Sequence, residues 1–132
     1  VPNQYRQTFR TFVFSKRGSQ VAAAAGFCRN TRGEVVFIHR SPSDPEWTET
    51  ILKEEDGRAM MWPSEAVSVR VTRVDQEKGV FEAYFNGRAV GKADLGIRRR
   101  EGWLYIGFNL EATNGEEVEA AIDEVEVEIY VR

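Results

Sequence analysis

The sequence predicts an all-β protein, an antiparallel β-sandwich formed by one domain spanning residues 1–132, and three observations carry that expectation. Apolar residues recur at every second position through much of the chain, the spacing of a strand with one face on a core. Glycine turns (Arg32-Gly33, Asp56-Gly57, Lys78-Gly79, Asn86-Gly87 and Asn114-Gly115) separate these runs, and short strands divided by such turns describe a sandwich or barrel. With 132 residues, 42% of them hydrophobic and 30% charged, the chain is long enough to bury a single core without staples.

Taken in order, the first strands fall at "QTFRTFVFSK", "QVAAAAGFCRN" and "GEVVFIHR". Alanine is a poor strand former, but the run from Val21 to Ala25 is too closely bracketed by Gly18 and Gly26 for a helix. Four alanines in a strand instead predict a close approach by a second sheet or a loop. "SPSDPEW", with two prolines, reads as a surface loop. "TETILKE" follows as a further strand, and "RAMMWP" fits strand or loop equally.

The second half is cleaner. "VSVRVTRV" sends Val67, Val69 and Val71 one way and Ser68, Arg70 and Thr72 the other. "GVFEAYFNG" sets Phe81, Ala83 and Phe85 against Val80, Glu82 and Tyr84. Asn86-Gly87 then supplies the two positive-φ residues of a type I′ hairpin turn. "WLYIGF" places Leu104, Ile106 and Phe108 opposite Trp103, Tyr105 and Gly107, and "IDEVEVEIYVR" alternates valines and isoleucine with Glu124, Glu126 and Glu128.

Charge and composition narrow the function classes. The net charge is −3, without the basic stripe of a nucleic-acid binder. Arg98-Arg99-Arg100, followed by Glu101, reads as a solvated loop. No apolar run approaches the roughly 18 residues of a membrane span, so no membrane insertion is expected. Cys28 is the lone cysteine and reads as a small buried hydrophobe. His39 is the lone histidine, which rules out any metal site needing two and reads as a strand histidine without a catalytic partner. The start at Val1, without a methionine, suggests an excised domain of a larger protein or a processed product; the compartment is not legible in these residues, with an extracytoplasmic or cell-surface place slightly favoured. Oligomeric state is not legible in these residues.

Two constellations suggest chemistry. The first is the outward face opposite the predicted core: Arg70, Glu82, Tyr84, Trp103 and Tyr105, with Trp62, Trp47 and Asn86 at its rim. Aromatic rings beside charged groups suit sugars, whose C–H faces stack on rings while their hydroxyls bond to polar groups; a protein ligand is equally served by such a surface. The second is the ladder Glu124, Glu126 and Glu128, whose alternate positions lie about 7 Å apart. That is within reach of the paired carboxyls of glycoside hydrolysis. The same ladder also serves as the wet, pairing-averse face of an edge strand.

Three blocks in the second half, in order, resemble the concanavalin A-like lectin/glucanase superfamily, the laminin-G-like jelly roll. They are "VSVRVTRVDQEKGVFEAYFNGRAVGKADLG", "LYIGF" and "AAIDEVEVEIYVR". Asn86 stands where the family has aspartate, and "EAVSV" stands where it has Trp-His. The resemblance implies a jelly-roll sandwich acting as a non-catalytic binding module for carbohydrate. It also implies a calcium ion as an optional cofactor, with Asp94 and Asp123 as oxygen donors. The alternatives are a protein-interaction or structural accessory domain, and third a small glycoside hydrolase using Glu124 and Glu128, since related glucanases carry an "ExDxE" strand similar to "EVEVE".

Overall fold

The structure, a computed structural model, describes residues 7–43, 46–75, 77–96 and 105–112. The described secondary structure is entirely β: β1 (Gln7–Arg17), β2 (Gln20–Arg29), β3 (Val35–Arg40), β4 (Thr48–Ile51), β5 (Val69–Asp75), β6 (Val80–Phe85), β7 (Arg88–Asp94) and β8 (Tyr105–Ala112). Two antiparallel sheets result, one of five strands in the order β4-β3-β2-β1-β8 and one of three in the order β5-β6-β7. The chain lays down β1 to β4 as successive antiparallel neighbours, builds the smaller sheet with β5 to β7, and returns at β8 to pair with β1. "RAMMWP" forms no strand; Met61 makes one isolated bridge to Glu34, and Ala59 another to Lys53.

The sheets face each other, with β5 and β6 against β2 and β7 against β3. Between them lie Ala23, Ala25 and Phe27 of β2, Val35 and Phe37 of β3, Phe81, Ala83 and Phe85 of β6, and Ala93 and Leu95. Val67, Val69 and Val71 pack at the margin, as their alternation predicts. Phe27 is the hub, with ring centroids 6.0 Å from Phe37 and 5.5 Å from Phe85. Each fully buried Phe of this kind contributes about 1.5–3 kcal/mol through the area it removes from water.

The alanine run is explained by close packing on both sides of β2. Ala23 and Ala25 meet the smaller sheet, and small side chains there let the two sheets come together around Phe81 and Phe85. On the reverse side, Phe12 and Ile38 sit in register on either side of Gly26. Trp47 touches both Phe12, at 5.8 Å between centroids, and the buried group Cys28, Val36 and Ile38. Its ring therefore crosses over β2, where only Ala24 and Gly26 leave room. A Cβ on Gly26 would fall onto the Thr11 carbonyl oxygen and the Phe12 backbone.

The β6–β7 hairpin is built as its sequence dictates. Asn86 and Gly87 have φ of 49° and 82°, the left-handed values of a type I′ turn. The Asn86 side-chain oxygen accepts the Ser68 backbone N–H at 2.8 Å, while the Asn86 N–H donates to the Ser68 carbonyl at 2.7 Å. The turn thereby ties the hairpin to the chain entering β5.

One face assignment is corrected. Ile106 pairs with Val13 on the side turned towards the smaller sheet, yet Ile106 and Phe108 are each 42% exposed. The smaller sheet packs chiefly over β2 and β3, so among the described residues no strand covers that side of β8. Leu104, the third residue expected beside them, lies outside the described residues.

Candidate functional site

The outer face of the smaller sheet is set by strict alternation. In β6 the buried residues are Phe81, Ala83 and Phe85, so Glu82 and Tyr84 point outwards. In β5 Val69 and Val71 turn in, and Arg70 and Thr72 turn out. Antiparallel register then assembles two rows across three strands, Arg70–Tyr84–Ala89 and Thr72–Glu82–Lys92.

Within these rows three side chains form a fixed cluster. The Arg70 guanidinium carbon lies 4.2 Å from the Tyr84 ring centroid, well within cation–π range. The Tyr84 hydroxyl donates to Glu82 Oε1 at 2.5 Å, the short length of an O–H bond to a carboxylate. That bond and the neighbouring negative charge raise the Tyr84 pKa above 10.0, with Arg70 opposing them. The phenol therefore stays protonated through the physiological range, with its hydrogen directed at a Glu82 oxygen. The ring is clamped by a cation on its face and an anion at its tip.

The remaining expected site residues separate. Asn86 is exposed at the hairpin tip, but its side-chain oxygen is engaged by Ser68. Trp62 corrects the expectation of a rim: it is half-buried, edge-on to Phe85 at 5.4 Å, and closes the end of the core. Tyr105 also corrects an expectation, since it lies in β8 of the five-stranded sheet and not beside Tyr84. Its register partner is Phe14, on the side of β1 opposite Val13, so it faces outwards on the far side of the sandwich. Trp103 lies outside the described residues, as do Asp123, Arg98-Arg99-Arg100 and the ladder Glu124, Glu126 and Glu128.

That far face also brings in Phe12, Phe14 and Lys16, which the sequence alone did not single out. Tyr105 stacks on Phe14 with centroids 5.3 Å apart and planes 23° apart, Phe14 meets Phe12 at 5.3 Å, and Phe12 meets Trp47 at 5.8 Å. Lys16 Nζ stands 5.0 Å from the Tyr105 ring centroid. The signal for it was the alternation Arg10, Phe12, Phe14, Lys16 in "RTFVFSK", which puts aromatics and cations together on one side of a strand. On the smaller sheet, Thr72 and Lys92 were missed because their place beside Glu82 depends on register.

Metal chemistry finds little footing here. Among the described residues no group of three or more His, Cys, Asp or Glu side chains could hold an ion. Asp94, one suggested calcium donor, accepts the Gly96 N–H at 3.0 Å and so closes its own turn. His39 lies against Phe37, with centroids 5.2 Å apart, and partial burial lowers its pKa below 6.5. Cys28 is buried beside Val36 and Ile38. No described helix is long and apolar enough to cross a membrane. Comparisons with family models, curated proteins and solved structures found no match.

Proposed function

We propose that this domain is a non-catalytic binding module that recognises carbohydrate on the outer face of the three-stranded sheet, and that its sheets belong to a concanavalin A-like jelly roll. The observation that carries the reading is the fixed Arg70–Tyr84–Glu82 cluster. An aromatic ring held rigid on a sheet offers a stacking platform to sugar C–H groups, and its ordering is complete before the ligand arrives. The guanidinium donates to sugar hydroxyls and the carboxylate accepts from them. Thr72 and Lys92, in the neighbouring row, add a hydroxyl and an ammonium within one strand spacing.

The test is binding to an array of neutral oligosaccharides, followed by titration calorimetry on those retained. Tyr84→Ala and Arg70→Ala should each weaken binding about tenfold or more, about 1.4 kcal/mol, with the melting temperature little changed because both side chains lie on the open face. A wild-type protein silent across the array, or a Tyr84→Ala protein that binds as the wild type does, overturns the proposal.

A further inference from the structure

The outer face of the five-stranded sheet carries three cations without an ion-pair partner among the described residues. Register puts Arg10 of β1 beside Cys28, and Arg40 of β3 beside Ala24. Both belong to the side of the sheet occupied by Phe12, Phe14, Trp47 and Tyr105. Lys16 joins them through its contact with the Tyr105 ring. Arg10 and Arg40 are two strands and four register positions apart, about 16 Å between backbones given strand spacings of about 4.8 Å and rises of about 3.3 Å. The aromatic rings lie between and beside them.

None of the three cations forms an ion pair with a described residue, although surface guanidiniums elsewhere in the chain do, at Arg32–Glu34 and Arg58–Asp56. The Nε–H groups of Arg10 and Arg40 are both buried and have no hydrogen-bond partner among the described residues. A buried guanidinium N–H without a partner is unfavourable, and two such arginines on one face of a chain with net charge −3 form a local positive region against the overall sign. Glu49, opposite Ile38 in β4, is a described acidic side chain of this face.

We propose that this face binds an anionic polysaccharide, a sugar chain bearing carboxylates or sulfates. Arg10, Arg40 and Lys16 would take the anionic groups, and Phe14 and Tyr105 would take the sugar rings. The guanidinium fork matches carboxylate and sulfate oxygens, and the stacked Phe14–Tyr105 pair gives an aromatic edge between the cations. Three cations suit sparse charge on a sugar chain better than the dense charge of nucleic acid, whose binding needs a broad basic footprint. This inference extends the binding-module reading to a second, opposite face and does not use Arg70, Tyr84 or Glu82.

The probes are polygalacturonate and dextran sulfate, with neutral dextran as control, measured on the whole chain by biolayer interferometry. One or both anionic polymers should bind and neutral dextran should not. Raising ionic strength from about 0.05 M to about 0.5 M should weaken binding about tenfold or more. A triple variant, Arg10→Gln, Lys16→Gln and Arg40→Gln, should lose about tenfold or more, while Lys53→Gln, which removes an exposed cation outside both faces, should bind as the wild type does. If the triple variant fails to fold, Lys16→Gln alone, at an exposed position, should still weaken binding several-fold. Failure of both anionic polymers to bind, equal binding to dextran, or a wild-type affinity in Lys16→Gln overturns the proposal. Binding of single-stranded DNA or polyglutamate in place of both polymers also overturns it. Loss on Tyr84→Ala but not on the triple variant would place any anionic sugar on the smaller sheet and leave only the first reading standing.

Discussion

β2 and β6 are the two strands on which the sandwich closes, and they are built on opposite plans. β6 alternates strictly, with Phe81, Ala83 and Phe85 buried and Val80, Glu82 and Tyr84 half-exposed. β2 is buried on both faces over the six residues from Ala23 to Cys28. A strand with one wet face has room for Tyr84 and its partners. A strand covered on both sides has none, so its residues become small where the neighbours are large. Small side chains at Ala24 and Gly26 admit Trp47 on the outside, and Ala23 and Ala25 admit the second sheet on the inside. Alternation thus marks where ligands can reach the sheet, and its absence marks where the two layers are locked together.

The sharpest way to break this contrast is to add volume to β2. Gly26→Val would drive a branched side chain into the Thr11 carbonyl and the Phe12 backbone, and backbone cannot yield as a flexible side chain can. The expected outcome is loss of folded protein, or a destabilisation of about 4 kcal/mol or more, near the extreme of single substitutions, read by chemical denaturation. An equivalent change on the outward face of β6, Glu82→Gln, should stay within about 1 kcal/mol. Equal effects at the two positions would remove the distinction between the strands.

Removing volume from the shared interior comes next. Phe27→Ala and Phe85→Ala should each lose about 3–5 kcal/mol, because both rings lie in the cluster joining the two sheets. Losses below about 1 kcal/mol would mean that the sheets do not share a core.

The hairpin that carries Tyr84 gives a smaller effect. Asn86→Ala removes the acceptor for the Ser68 N–H and puts a residue that resists positive φ into a left-handed position. About 1–2 kcal/mol should be lost. Asn86→Asp, which keeps an acceptor and tolerates the conformation, should recover most of it in the same denaturation assay.

The smallest effect is a pH dependence at His39. Its folded pKa lies below the 6.5 of the free side chain because burial opposes the charged form. The unfolded chain therefore binds the proton first as pH falls. The contribution to stability is present above 6.5 and is lost as pH drops through the folded pKa. A proton NMR titration should give a His39 midpoint below 6.5, and His39→Gln should flatten the stability profile in that window. A midpoint at or above 6.5 would contradict the burial assigned to it.

Much of the fold was legible because alternation and turn chemistry are local. The positions of β5, β6 and the Asn86-Gly87 hairpin followed from Val69, Val71, Phe81 and Phe85 and from the two positive-φ residues. The close approach on β2 was legible from its alanines. The candidate site was only half legible. Arg70, Glu82 and Tyr84 meet because register aligns two strands whose faces were already fixed. Tyr105 went astray because alternation gives a face but not a sheet, and β8 returns across the sandwich to pair with β1. Trp62 went astray because its loop folds inward against Phe85, a contact no local pattern encodes. Arg10 and Arg40 were invisible for the same reason: two strands apart in the sheet, they share a face only through β2.

We propose the outer face of the smaller sheet as the carbohydrate-binding surface. The direct measurement is a 15N–1H NMR titration of the protein with neutral oligosaccharides retained on the array. Amide shift changes should cluster at Arg70, Thr72, Glu82, Tyr84 and Lys92, with the amides of Phe14, Lys16 and Tyr105 unmoved. Changes confined to β1 and β8, or no change with any neutral oligosaccharide, would contradict it.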